Sequence, residues 1–250
     1  NLTGCVSPAS DYASMYMALY LIARWCQTIE QSPNNIDTFA LLSIFSVYVM
    51  TLKLSTGLLI LLVIFPLVYL IKAKRIKDIF IYFGLGFLTA APFLIRNVII
   101  SGWLLYPFAA IDLFQFDWKM PERYVNIDSS TIKVWARCLY DPKLIDMPFQ
   151  EWLPIWWNAQ ERYSQMLILT NLLALVLNIA ILLHKIITKS KRCWNTILLN
   201  LCTFVCLISW LFLAPFIRYG LAFLLAVPML SIGMWLGMWP QKTQPSSFYK

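Results

Sequence analysis

Charge is scarce in this chain. Only 13% of its residues are charged and one histidine, His184, is present, whereas a soluble domain carries about 25% charged residues. Water is therefore not the main solvent of this fold, and the sequence reads as an integral membrane protein. Glycine is thin as well, with 8 in 250 residues. No P-loop, G-x-G-x-x-G or H-E-x-x-H pattern occurs, so nucleotide hydrolysis and zinc proteolysis have no support. The six cysteines (Cys5, Cys26, Cys138, Cys193, Cys202 and Cys206) form no C-x-x-C. Cys202 and Cys206 share a helical face on an apolar stretch, where packing accounts for them, and no disulfide framework can be drawn. There is no initiator Met and no basic n-region with a cleavage site. The chain is thus expected to be an N-terminally incomplete fragment of a longer protein, forming a single transmembrane domain over 1–250.

What remains is grease and aromatics: 60% hydrophobic residues, 16% aromatic, and a mean hydropathy of +0.68. Apolar runs near the ~20-residue length that crosses a bilayer fall at 11–26, 36–50, 54–71, 79–100, 166–183, 196–213 and 221–239. The expected fold is all-α, a polytopic bundle of about seven spans. Ser7-Pro8 breaks any helix ahead of the first span, and Ser10 can cap it. Between the fourth and fifth spans lies a non-hydrophobic segment, 101–163, holding eight of the chain's twelve acidic residues. Its stretches 129–140 and 149–163 mix apolar and charged residues as helices lying on a bilayer do. Trp152, Trp156 and Trp157 read as an interfacial girdle, with a sugar- or lipid-stacking surface as the alternative.

The net charge of +8 speaks to topology more than to nucleic acid, for which nothing argues. The basic runs KAKRIKD (72–78) and HKIITKSKR (184–192) both flank spans, and short Lys/Arg-rich loops face the cytoplasm. Alternation from either run places 101–163 outside. Asp11, Arg96, Asn97, Asp112, Asp117 and Arg218 then all reach the extracytoplasmic side, and His184 the opposite one. Polar groups gathered on one membrane face can converge on one cavity.

Arg96 and Arg218 can clamp a phosphate bidentately or snorkel to headgroups. Asp112 and Asp117 suit a general base or metal ligand, or are solvated loop charges. Asp11 stands at a helix start, where the dipole favours a carboxylate in any case. A transporter would place paired charges at mid-span, and the spans 54–71, 166–183 and 196–213 hold none.

The stretch IRNVIISGWLLYPFAAIDLFQFDWKMP (95–121) carries Arg96, Asn97, Ser101, Gly102, Tyr106 and Pro107, then Asp112, Phe114, Asp117, Trp118, Lys119 and Pro121. It resembles bacterial multi-spanning proteins related to the GT-C glycosyltransferases, with an R-N step after a helix and a D-W-K-x-P stretch beyond. Weaker echoes are Ser7-Pro8 with Asp11, Lys53-Leu54-Ser55, and Arg218-Tyr219-Gly220. The resemblance implies a bacterial inner-membrane hexosyltransferase of cell-envelope glycan assembly, working on the extracytoplasmic face. It would move a sugar from a polyisoprenyl-phosphate donor to a glycan or lipid acceptor. It implies donor contacts from Arg96, Asn97, Arg218, Tyr219, Trp118 and Lys119, and proton abstraction by Asp112, Asp117 or Asp11. In such enzymes the catalytic acid follows the first span, which here falls upstream of Asn1. No cofactor is assigned, and a divalent metal ion is left open. An O-antigen polymerase or ligase, and a lipid-glycan flippase, are the rivals.

Overall fold

The computed structural model describes residues 10–187 and 193–236. Ser7-Pro8, Cys5, most of the second basic run and the tail after Leu236 lie outside them. Among the described residues the chain is all-helical, with no strand. The helices are α1 (Ser10–Gln31), α2 (Ile36–Leu52), a 3-10 stretch (Leu54–Val63) running into α3 (Ile64–Lys72), and α4 (Ile76–Ser101). They continue with α5 (Glu122–Ala136), a short 3-10 turn (Pro142–Leu144), α6 (Phe149–Asn158), α7 (Arg162–Ile187), α8 (Cys193–Leu213) and α9 (Ile217–Leu236).

Over the described residues all seven apolar runs are helical, but five helices are long and apolar enough to cross a membrane: Leu54–Lys72, Ile76–Ser101, Arg162–Ile181, Trp194–Leu213 and Ile217–Leu236. The other two depart for different reasons. Helix α2 has 17 residues and so reaches about 25 Å, short of a hydrocarbon core of about 30 Å. Helix α1 is long enough but carries Asp11, Arg24 and Glu30.

The Leu54–Lys72 span solves its length problem through geometry. Ten of its residues are 3-10, rising about 2.0 Å each, and nine are α. Nineteen residues therefore reach about 33 Å, where an α-helix would give about 28 Å. The buried positions follow the change: Thr56, Leu59 and Leu62 come three apart in the 3-10 part, and Pro66 and Leu70 four apart in the α part.

Helix α9 is the hub, packing against α7, α1 and α8. Ala222, Phe223, Leu224, Ala226 and Val227 are all buried. Since lipid is as apolar as leucine, polar contacts hold such helices together. Asn171 donates to the Leu224 carbonyl at 2.7 Å, Asn178 to Asn200 at 2.8 Å, and Ser231 to the Ala174 carbonyl at 3.0 Å. Trp25 donates to Asn195 at 2.7 Å, tying α1 to α8. At one end of the bundle, Arg75 and Tyr82 reach Asp37, each at 2.8 Å. Helix α4 stands at the edge, touching α2 and α3 while most of its surface stays open.

The segment 102–161 is a folded cap, not a loose loop. The two amphipathic stretches expected at 129–140 and 149–163 are helices α5 and α6, over Glu122–Ala136 and Phe149–Asn158. Trp152 and Trp156 are not a girdle. Both are 1% exposed and pack with Val134, Leu139, Trp210 and Leu224. The Trp156 indole donates to the Pro215 carbonyl at 2.8 Å. An aromatic pair four residues apart looks alike whether it meets headgroups or another helix, so the sequence could not separate these cases.

Gly220 is where α9 meets this second core. A Cβ there would stand 2.6 Å from the Trp210 ring. Gly220→Ala is expected to cost about 1–3 kcal/mol as an overpacking change, read as a lowered Tm in detergent with unchanged helical circular dichroism. An unchanged Tm would mean that the ring is free to move aside.

Candidate functional site

Asp11, in the first turn of α1, is 5% exposed. Taking a carboxylate out of water is costly unless cations meet it. Two do: Lys53, from the extended joint between α2 and the 3-10 stretch, and Arg218, from the first turn of α9. The Lys53 ammonium bonds one carboxylate oxygen, and Arg218 Nε approaches the other at 3.1 Å, although its N–H is not aimed along a hydrogen bond. Tyr219 completes the group. Lys53 Nζ lies 3.9 Å from its ring centroid, and Arg218 stacks over Phe216 at 4.6 Å and Tyr219 at 5.2 Å.

The layering matters. The Asp11 side chain is 7% exposed, Lys53 26% and Arg218 40%. The carboxylate lies beneath and the cations face outward, with one positive charge left over. The N-terminus of α9 adds its own partial positive charge. Preorganised cations with an excess charge are suited to an anion, above all a phosphate, which a guanidinium can grip.

The 95–121 stretch is a second, separate construction. Asn97 is buried and donates to the Leu104 carbonyl at 3.3 Å, and Ser101 Oγ donates to the Asn97 carbonyl at 2.7 Å. Gly102 ends α4 in the left-handed region, with φ 76°, which glycine enters without penalty. A Cβ there would be 2.9 Å from the Lys119 backbone. The Met120 N–H bonds the Ser101 carbonyl at 3.0 Å, and the Trp103 indole donates to the Met120 carbonyl at 2.9 Å. The R-N-x-x-x-S-G step therefore clasps the end of α4 to residues 119–121.

Around that clasp, Lys119 pairs with Asp112, donates to the Phe114 carbonyl at 2.8 Å and lies 4.2 Å over the Trp103 ring. Phe114, Phe116 and Trp118 stack in a row, at centroid distances of 5.5 and 4.6 Å. Asp117 and Arg96 are exposed. Among the described residues, no hydrogen bond or ion pair joins Arg96, Asn97, Asp112, Asp117 or Lys119 to the Asp11 group. Of the residues singled out in the sequence, Asp11, Arg218 and Tyr219 meet. Asp112, Trp118 and Lys119 gather elsewhere, and Asn97 serves the clasp.

Two important residues carry little or no signal in the sequence. Lys53 registers in the sequence only as a weak echo, because a lone lysine between spans looks like punctuation. Arg137 does not register at all. It is buried, donates to the Ile145 and Phe212 carbonyls at 3.3 and 3.2 Å, and lies 4.6 Å over the Trp152 ring. Burial pulls its pKa below the ordinary arginine value. The Phe212 carbonyl belongs to the last turn of α8, where a cation meets the negative end of the dipole. Among the described residues, no three His, Cys, Asp or Glu side chains gather as metal ligands would.

The family model described as a domain of unknown function (DUF8201) matches residues 2–225. The chain belongs to that family. No curated protein and no solved structure matches it.

Removing Asp11 should leave two cations facing each other. Asp11→Ala is expected to cost about 1–3 kcal/mol, less than the 3–5 of a fully enclosed pair, because Arg218 is 40% exposed. Adding Lys53→Met should restore part of the loss in thermal unfolding, whereas additive losses would mean that the two do not interact.

A pH dependence follows from Tyr106, which donates to Asp128. Burial, then that bond, pushes its phenol up from 10 to about 12. The folded state therefore holds this proton more tightly than the unfolded chain. The contribution is whole below pH 10 and is lost as pH rises through about 12. The Tm advantage of the native chain over Tyr106→Phe should shrink across that window. A constant difference would show that the bond is not formed.

Proposed function

We propose that the chain is a polytopic membrane glycosyltransferase, moving a sugar from a polyisoprenyl-phosphate donor to a glycan or lipid acceptor of the bacterial cell envelope. The observation that carries the proposal is the pair of outward-facing cations, Lys53 and Arg218, set on the buried Asp11 carboxylate. In this proposal α1 and α2 count as spans, giving seven in the cytoplasmic membrane. Residues 72–78 and 184–192 face the cytoplasm, and the cap over 102–161 faces outward. The arrangement of helix ends supports that alternation: Asp11, Lys53 and Arg218 meet at one end, and Asp37, Arg75 and Tyr82 at the other.

The reaction breaks the bond between the anomeric carbon and the phosphate oxygen, which leaves with its electron pair as an anion. Lys53 and Arg218 neutralise that developing charge. The acceptor hydroxyl forms the new bond to the anomeric carbon and gives its proton to a carboxylate. Asp11 is engaged by two cations and Asp112 by Lys119, and Asp117, exposed and without an ion pair among the described residues, is the base that the resemblance of 95–121 implies. Arg96, exposed near the end of α4, is the further phosphate contact that the same resemblance implies. The likeness of 95–121 to GT-C enzymes supports the same chemistry.

The test is transfer of radiolabelled sugar from a polyisoprenyl-phosphate donor to envelope acceptors by the purified full-length protein. Lys53→Ala and Arg218→Ala should each lower transfer by about 100-fold or more, and Asp117→Asn by about 100-fold, with membrane insertion intact. Arg96→Ala should also abolish transfer. Full activity in all four variants would overturn the assignment. Transfer of a preformed polymer in one step would instead identify a ligase or polymerase.

A further inference from the structure

A recess opens on the cap side of the bundle, between the end of α5, the α6–α7 junction and the turn joining α8 to α9. It encloses about 250 Å³. Phe216 is shared: the residue lines this recess, and its ring carries the Arg218 guanidinium at 4.6 Å. The recess therefore adjoins the cationic group across a single side chain.

Its lining has a distinct chemistry. Tyr140 and Tyr163 line it and are 63% and 61% exposed. The Gln160 amide nitrogen is held by the Trp156 carbonyl at 2.9 Å, which leaves its oxygen as the accepting end. Glu161 is the sole charged residue of the lining and has no cationic partner among the described residues. Such a wall repels anions. It suits a ring with apolar C–H faces for the tyrosines and hydroxyl donors for Gln160 and Glu161.

The backbone here is strained at two positions. Cys138 and Tyr140 both have positive φ, 59° and 57°, which costs a residue with a side chain of order 1 kcal/mol or more. Cys138 closes the end of α5, with the Leu139 N–H reaching back to the Val134 carbonyl at 3.1 Å, a place where glycine is usual. No helix end accounts for Tyr140. Both strained residues line the recess.

We infer that this recess binds a neutral pyranose ring, held between Tyr140 and Tyr163 and hydrogen-bonded by Gln160 and Glu161. The inference rests on the glycosyl-transfer proposal for its biological meaning, as the seat of the acceptor sugar beside the phosphate-binding cations.

Saturation-transfer NMR on the protein in a sugar-free detergent tests it, with methyl glycosides of glucose, galactose and N-acetylglucosamine as probes. At least one glycoside should receive saturation on its ring protons. Tyr163→Ala and Glu161→Ala should each weaken binding by about tenfold, the effect of one lost contact of this kind. Lys53→Ala, at a residue that does not touch the recess lining, should leave it unchanged while weakening binding of inorganic pyrophosphate. No saturation of any probe, or equal saturation in both recess variants, would overturn the site. Glycoside binding without pyrophosphate binding would sink the phosphate assignment and leave the recess standing.

Discussion

A carboxylate buried at the start of a helix cannot be left without cations, and Asp11 draws them from two places far away in sequence. Lys53 arrives from the joint after α2, and Arg218 from the first turn of α9. Three helix ends are thereby fixed to one point. The apolar faces below could slide against each other or against lipid with little penalty, since lipid satisfies them equally well. The ion group sets which ends coincide, and the amides of Asn171, Asn178 and Asn195 set the register along the seams.

The same arrangement turns a structural need into a chemical opportunity. One carboxylate neutralises one of two cations, so an excess positive charge remains, and the cations are the exposed members. Tyr219 and Phe216 confine them from the side. An anion arriving there meets donors already in place and displaces little, which is how preorganised sites gain their strength. The cap bears on this because its Trp156 donates to the Pro215 carbonyl, beside the bond from Trp210 of α8 to the Phe216 carbonyl, each at 2.8 Å. Those two bonds hold the turn from which Arg218 emerges.

The cap also changes how the 95–121 stretch is understood. Its densest run of polar and glycine residues has a mechanical role: Asn97, Ser101 and Gly102 turn the chain off α4 and clasp it at Met120. Such a motif stands out in sequence because its backbone geometry tolerates few alternatives, as at Gly102 against Lys119. A strict motif does not by itself separate a clasp from a reacting centre.

The sequence by itself determined the solvent, the helical class and the order of the apolar segments, because hydropathy and length act locally and need no partner. It also placed Asp11 and Arg218 on one membrane face, and Tyr219 entered through the resemblance. Only the tertiary structure decided that Lys53 joins them, that Asp112 and Lys119 pair apart from them, and that Trp152 and Trp156 are core. It decided too that the Leu54–Lys72 span is half 3-10. The physical reason is common to all four. A run such as Leu58–Leu62 is apolar on every side, and a lone lysine or tryptophan carries no mark of its neighbour. Which surfaces meet is settled by contacts between residues far apart in the chain, and Asp11 with Arg218, more than two hundred positions away, is that case.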